Sequence, residues 1–576
     1  MLKYLKKYWY CCILAPLFMF GEIAMDLIQP DMMATIVDDG VLGGNIQLIF
    51  YEGIKMVLLV MFGGACGVLC GVFANIASQN FGNDVRKDMF SHIMDFSFEQ
   101  TDRFTTGSLV TRITNDVSQV EQMIMQCIRS LVRCVVMFAG GIFMLYRQSP
   151  RFALVAACGL PFVTLIVVFT LKKVSPLFTK IQQKLDRVNC VVQENIAGAR
   201  VVKAYVKEDS ELENFSKAND SLCSTNLRAQ TILAFLNPCV NIVLNLCVVG
   251  VLYVGGYTVQ ANGSITPGQI MAAITYLSLI LMRIVFLANI FQTFTRAAAS
   301  WKRIREVLNT ESAQKSGTQT ADTKVHGEVE FKHVTFSYPN LPENIVLDDI
   351  SLSVKKGETI AIIGSTGCGK SSLVDLIPRF YDATEGEVMV DGHNVLEYDI
   401  QALRSKIGIV QQKAELFSRS IKENICWGSE GAAQEEISKA ANTAQAEEFI
   451  LRMADGYETA VTESGHSLSG GQKQRISIAR EMIKKPEILI LDDSGSALDL
   501  KTESAFYEAL NKEFSDTTRI IVAQRIASVR QADRIYVLEH GKICASGTHS
   551  ELLETSDVYR EICRSQLKKG EISYAE

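Results

Sequence analysis

A helical membrane half followed by a soluble α/β half is the fold class that this 576-residue sequence predicts, and three observations carry it. Six apolar stretches, near 10–30, 53–77, 128–147, 151–171, 231–258 and 270–292, match the about 20 mostly apolar residues that a membrane span needs. The connections over 82–127 and 172–230 are long, polar, rich in Lys and Arg and little punctuated by Pro or Gly, as expected of membrane helices that run far past the bilayer and turn back. Beyond residue 326 the pattern changes to short apolar runs set among helical segments. The expected architecture is therefore an all-α transmembrane domain of six helices over 1–309, a linker over 310–326 and an α/β domain over 327–576.

Orientation follows from the loops. The connections near 31–52 and 259–269 contain no Lys or Arg, whereas the two long connections carry many. The positive-inside bias then places the long connections, the N-terminus and the second half in the cytoplasm. Lys3, Lys6 and Lys7 precede the first apolar run, which reads as a retained helix because further spans follow. A net charge of −6 averages two dissimilar halves and names no partner; no nucleic acid is expected. The 15 cysteines form no Cys-x-x-Cys pair and scatter through apolar runs, so they read as reduced small hydrophobes. The seven histidines show no metal-ligand spacing.

Within the membrane half, Glu22 and Asp26 are four apart and share one helix face, and Arg283 interrupts the sixth apolar stretch. Ionisable groups at membrane depth face a cavity or a partner, so substrate contact and a structural ion pair both fit. Arg129 and Arg133 are expected to snorkel toward the inner leaflet. Phe286, Phe291 and Phe294 either pack between helices or line a pathway. The segment Thr310 to Lys324 has no hydrophobic period and reads as linker. After it, residues 329–336 alternate like a strand, while 359–363 and 488–491 read as buried parallel strands.

The chemistry sits in the second half. Gly364, Ser365, Thr366, Gly367, Cys368, Gly369, Lys370 and Ser371, with Ser372 behind them, follow one buried strand and open a helix. In that context Gly-x4-Gly-Lys-Ser is a phosphate-binding loop, whose backbone N–H groups and helix N-terminus meet phosphate oxygens. Lys370 is expected at the β- and γ-phosphates of ATP and Ser371 on Mg²⁺, with Asp492 at the end of another strand as the second Mg²⁺ anchor. Cys368 lies beside Lys370 at a helix start, surroundings that can favour a thiolate. Leu468-Ser469-Gly470-Gly471-Gln472 is a second Ser-Gly-Gly turn into a helix, about a hundred residues from Lys370, and nothing in the spacing requires it to serve the same nucleotide.

With these motifs the chain resembles an ABC exporter half-transporter, membrane domain first and ATPase domain second, over nearly its whole length. The resemblance implies that Tyr338 stacks on adenine, that Gln412 links Mg²⁺ to the membrane domain, and that Ser496-Ala-Leu-Asp499 joins the two nucleotide sites of a dimer. It also matches Thr106-Gly107-Ser-Leu109 with Arg112, and Glu194-Asn-Ile-Ala-Gly198 with Val202 to Tyr205, to intracellular coupling loops. In such a dimer each ATP lies between one chain's Lys370-type loop and the other chain's Leu-Ser-Gly-Gly-Gln.

Three positions depart from the family pattern. Gln411 replaces a proline, Asp493 stands where hydrolysing members carry Glu, and Gln524 stands where they carry His. Asp493 keeps a carboxylate but withdraws it by one methylene, and Gln524 offers an amide in place of an imidazole. Gly465, in Thr462-Glu463-Ser-Gly465, is retained. The pattern resembles the impaired-site subunit of bacterial heterodimeric multidrug exporters. It implies a partner half-transporter with intact Glu and His, and a hydrophobic or amphipathic small-molecule, lipid or peptide substrate in a lipid membrane. A homodimeric exporter using Asp493 as a slow base, an ATP-gated regulatory membrane protein, and transport in the inward direction are the alternatives.

Overall fold

The computed structural model describes residues 1–262, 265–311, 314, 316–320, 326–462, 465 and 467–566. They form two compact units, one of Met1–Met94 with Gly107–Thr310 and one of Asp95–Thr106 with Glu311–Glu576.

The first unit is wholly helical. Among the described residues five helical stretches are long and apolar enough to cross a membrane: Leu2–Leu42, Ile46–Met94, Thr106–Gln148, Pro150–Ala197 and Glu208–Gln260. The 48 residues of Pro150–Ala197 rise roughly 70 Å at 1.5 Å per residue, more than twice a hydrocarbon core of ~30 Å. Each such helix therefore extends well beyond any bilayer it crosses. The 42-residue helix Pro267–Leu308 joins them, started by a capping box between Thr266 and Gln269. Phe286 and Phe294 on it are exposed, while the side chain of Phe291 lies outside the described residues.

Periodicity explains the packing. Cys11, Ala15, Met19, Ile23 and Leu27 recur every fourth residue and are all buried, whereas Ile13, Leu17 and Phe20 on other faces are exposed. Small residues bring the first two helices close. A Cβ on Gly21 would stand 3.2 Å from Cys66 Sγ, and one on Gly63 would stand 3.1 Å from Met25 Cβ. Tyr276 ties the last long helix to the first by donating its hydroxyl to the Leu27 carbonyl at 2.6 Å.

Two sheets build the second unit. Strands β1 (Val329–Ser337), β2 (Ile345–Val354), β4 (Glu385–Val390) and β5 (His393–Asn394) form an antiparallel sheet in the order β2-β1-β4-β5. Strands β3 (Thr359–Gly364), β6 (Ile407–Val410), β7 (Ile488–Asp492), β8 (Thr518–Val522), β9 (Arg534–Glu539) and β10 (Lys542–Gly547) form the other, ordered β10-β9-β3-β8-β7-β6. Its central pairs are parallel and only β10 runs antiparallel. All five residues of β7 are buried, which is why the strand reads as a continuous apolar run. The antiparallel sheet was not anticipated beyond its first strand.

Two local features add to the expected domain bounds. The linker segment after Thr310 is held where it is described. Gly317 donates to the Tyr398 carbonyl at 2.8 Å and Ser316 Oγ to Asp399 Oδ2 at 2.8 Å, so the polar stretch is stitched along Tyr398–Asp399. Polar side chains without period still satisfy backbone partners. The short helix Phe98–Phe104 belongs to this second unit, where Phe98 stacks on Phe380 at 4.4 Å and Tyr381 donates to Asp102 at 2.7 Å.

Candidate active site

The phosphate loop bridges β3 and the helix Lys370–Asp375. Its glycines are required sterically. Gly367 and Gly369 have φ of 84° and 100°, and a Cβ on Gly364 would come 2.1 Å from the Leu538 carbonyl oxygen. Ser365, Thr366 and Gly367 are exposed, Cys368 and Lys370 buried. The Lys370 ammonium donates to the Gly364 and Ser365 carbonyls at 2.9 and 2.8 Å and stands 3.8 Å from Cys368 Sγ. The loop thus holds its own cation in place. Ser372 shares a 2.8 Å hydrogen bond with the Tyr338 hydroxyl, and the Tyr338 ring meets Tyr381 edge-on at 5.2 Å.

Across the sheet, β7 ends in Asp492 and Asp493. Asp492 is buried, with the Ser371 hydroxyl among the groups that act on its carboxyl. Burial holds its carboxyl above the usual range, as does the Asp493 charge, and Ser371 and Lys370 oppose this. A desolvated carboxylate beside a hydroxyl and next to a phosphate loop fits a divalent cation by the chemistry of its donors. Asp493 turns into the left-handed region, φ 47°, where Asp is tolerated. Its N–H donates to the Val522 carbonyl at 2.8 Å and its own carbonyl accepts from Ser496 Oγ at 2.8 Å.

The carboxylate of Asp493 gathers the two other altered or singled-out side chains. Gln412 Nε2 lies 3.4 Å and Gln524 Nε2 3.3 Å from Asp493 Oδ2. Both contacts are long for hydrogen bonds. Burial nonetheless pushes the Asp493 carboxyl upward, against Ser496, Gln412, Lys370 and Arg525. The fold therefore unites Asp493, Gln524 and Gln412, which lie far apart in the chain.

Ser469 caps the helix Gly470–Met482, accepting from the Gln472 N–H at 3.3 Å, while Gln472 Oε1 accepts from the Ser469 N–H at 2.9 Å. A Cβ on Gly471 would come 2.8 Å from the Ala497 carbonyl, whereas Gly470 is open. Gln474 donates to the Gln411 carbonyl at 3.2 Å. Asp499 caps the helix Leu500–Glu513 through Thr502, and those hydrogen bonds hold its carboxyl below the usual range. Gly465 has φ 69°, and Glu463 and Ser464 lie outside the described residues.

Several partners of this site had no sequence signal. Gln566 Nε2 donates to the Gln524 carbonyl at 2.6 Å and its Oε1 accepts from Ile526 N–H at 2.9 Å, latching the Gln524 turn. Arg525 reaches both the Ser496 carbonyl at 3.2 Å and Glu503 at 3.5 Å. Asp375, at the end of the phosphate-loop helix, is pushed up to about 7, by burial first and by the charge of Asp492 second. A carboxyl raised in this way contributes stability below its unfolded value near 3.8 and loses it as pH rises through about 7. In metal-free buffer an Asp375→Asn chain is therefore expected to melt above wild type, by a margin that widens from about pH 5 to pH 8. A pH-independent margin in scanning calorimetry would discard that cause.

In the helical unit the expectation for Arg133 fails. Its guanidinium lies 2.9 Å from Glu22 Oε1 and 3.1 Å from Asp26 Oδ2, so it pairs instead of snorkelling. A desolvated guanidinium gains more from two carboxylates than from reaching a distant headgroup. Glu22 and Asp26 thus share one ion-pair partner, Arg133.

Comparison with known proteins agrees with this architecture. The ABC transporter transmembrane region family matches residues 12–285 and the ABC transporter family matches 347–496. The chain is 39% identical to the uncharacterised ABC transporter ATP-binding protein YfiB of Bacillus subtilis over 98% of both chains. It is 33% identical to the putative multidrug export ATP-binding/permease protein YgaD of the same organism, covering 94% of each. A solved bacterial Atm1-family ABC exporter with ATP bound superposes with a TM-score of 0.80 at 26% identity, covering 98% of this chain and 100% of that one. This chain belongs to the ABC exporter family, as a multi-pass half-transporter whose membrane domain is fused to an ATP-binding, ATP-hydrolysing domain.

Proposed function

We propose that this chain is the impaired-site half of a heterodimeric exporter. Its membrane domain would comprise 1–309 with six spans, counting Pro267–Leu308, and its ATPase domain 327–576 after a linker at 310–326. The charge bias of the loops supports a cytoplasmic N-terminus and ATPase domain. ATP would sit on Gly364–Ser372 with Tyr338 against the base once its hydroxyl leaves Ser372. Ser371, Asp492 and Gln412 would hold Mg²⁺, which supplies charge neutralisation on the phosphates when bound.

The observation that carries this reading is the state of Asp493. A general base must come within about 2.6–3.2 Å of the proton it takes. Asp493 is one methylene short and has two amides against the same oxygen. Neither amide accepts the role of an imidazole. The intact Ser469–Gln472 turn, with Gly470 open, remains able to offer N–H donors to a phosphate on a partner. A partner chain with Glu and His at the matching positions would then hydrolyse, while this chain's site holds ATP through several cycles. One relative named as a putative multidrug export protein and another named as a lipid A-core flippase support hydrophobic or amphipathic cargo.

The chain loaded with radiolabelled ATP and Mg²⁺ is expected to retain mainly ATP when unbound nucleotide is washed away. The affinity-tagged chain drawn from native membranes is expected to bring with it a second half-transporter. Recovery of ADP in place of ATP, from a chain associated only with itself, would overturn the unequal-pair reading.

A further inference from the structure

The helical unit contains a charge cluster whose balance is unfinished. Arg133 forks between Glu22 and Asp26 at 2.9 and 3.1 Å, so each of its two terminal nitrogens has a carboxylate. Arg283, on the helix Pro267–Leu308, lies in the electrostatic field of Arg133, Asp26 and Glu22. Yet its Nε is buried without an acceptor, and among the described residues no carboxylate stands within ion-pair distance of it. Its guanidinium carbon instead lies 5.9 Å from the centre of the exposed Phe286 ring. Arg129, four residues before Arg133, turns toward the second long helix, where its Nη1 lies 3.8 Å from the place of a Gly71 Cβ. Arg133 thus occupies both carboxylates, and Arg283 has no ion-pair partner among the described residues.

The cluster is closed on one side. Glu22 Oε2 is buried and faces Gly67, where a Cβ would stand 2.9 Å from it. Arg133 and Asp26 keep 26% and 32% of their side-chain surface exposed, so access is from their side. A cationic ligand entering there meets Arg283 and must compete with Arg133 for both carboxylates. An anion meets an uncompensated guanidinium. A cation at membrane depth pairs or faces a water-filled cavity, and Arg283 has no pair of its own.

We infer that Arg283, set beside the Glu22–Arg133–Asp26 triad, binds the anionic group of an amphipathic substrate whose apolar part lies along Phe286. The inference rests on the exporter reading and names the class of its cargo: amphiphiles bearing a phosphate, sulfonate or carboxylate.

The test uses the full chain in nanodiscs of neutral lipid, without nucleotide. Fluorescent lysophosphatidate, lysophosphatidylcholine and an alkyl-trimethylammonium of one chain length are titrated by anisotropy. Lysophosphatidate is expected to bind at least about tenfold more tightly than the other two, the worth of one charge-assisted contact. Arg283→Gln is expected to remove that preference and Arg283→Lys to keep most of it. Phe286→Ala should weaken all three probes while leaving the preference. ATP affinity, measured on each variant, reports intact folding. Equal affinity for the three head groups, or a preference that survives Arg283→Gln, would overturn the assignment. Because binding is read without hydrolysis, turnover by the chain alone would discard the unequal pair and leave this result standing.

Discussion

An Asp493→Glu/Gln524→His chain is expected to release phosphate about 10²–10⁴-fold faster than wild type, the usual contribution of general-base catalysis. The added methylene advances the carboxylate by ~1.5 Å, one bond length. That lifts it out of the long contact with Gln412 at 3.4 Å, while the Gln524 amide that stood at 3.3 Å is replaced. The imidazole at 524 would enter a turn already latched by Gln566, so its backbone needs no rearrangement. Each single substitution should recover only part of the gain, because base and phosphate-holding group act as a unit. Phosphate release by the purified chain, with ATP binding measured in parallel, checks this. Vigorous wild-type turnover, matched by the double variant, would show that Asp493 and Gln524 suffice.

The second large effect lies behind the site. Lys406 precedes β6, and its ammonium reaches Asp391 Oδ2 at 2.6 Å and Glu487 Oε2 at 3.1 Å. Glu487 directly precedes β7, the strand that presents Asp492 and Asp493. The Lys406 and Asp391 side chains are 2% and 0% exposed, so this pair is desolvated almost completely. Asp391 and Glu487 also group with His326 within 4.8 Å, a spacing that suits a metal, but the Lys406 ammonium already supplies the cation there. Lys406→Ala is expected to cost about 3–5 kcal/mol, the cost of abandoning one buried charge. Melting of the ATPase domain should fall by roughly 10 °C. Lys406→Met combined with Asp391→Asn should restore most of it, since that pair leaves no buried charge while Asn keeps the left-handed turn, φ 52°, and an acceptor for the Glu328 N–H. A single variant that melts with wild type would show that the pair carries no stability.

The sequence by itself was enough for five of the six expected membrane helices, the glycine turn at 364–369, the Ser469 cap and β7, because each is a local pattern. Burial on all faces makes an apolar run, burial on one face makes a fourth-residue stripe, and a tight phosphate cradle admits only glycine at Gly367 and Gly369. Arg133 was misread for a corresponding reason. Its neighbours in sequence give it a place near one end of an apolar stretch, whereas its partners, Glu22 and Asp26, lie more than a hundred residues away. The same holds for Gln566 behind Gln524, for Asp375 beside Asp492, and for Phe98 on Phe380. Which residues exist to make a nucleotide site is set by backbone geometry over a few residues. Which charges neutralise one another, and which is left over, was decided only when distant helices and strands met and water was excluded between them.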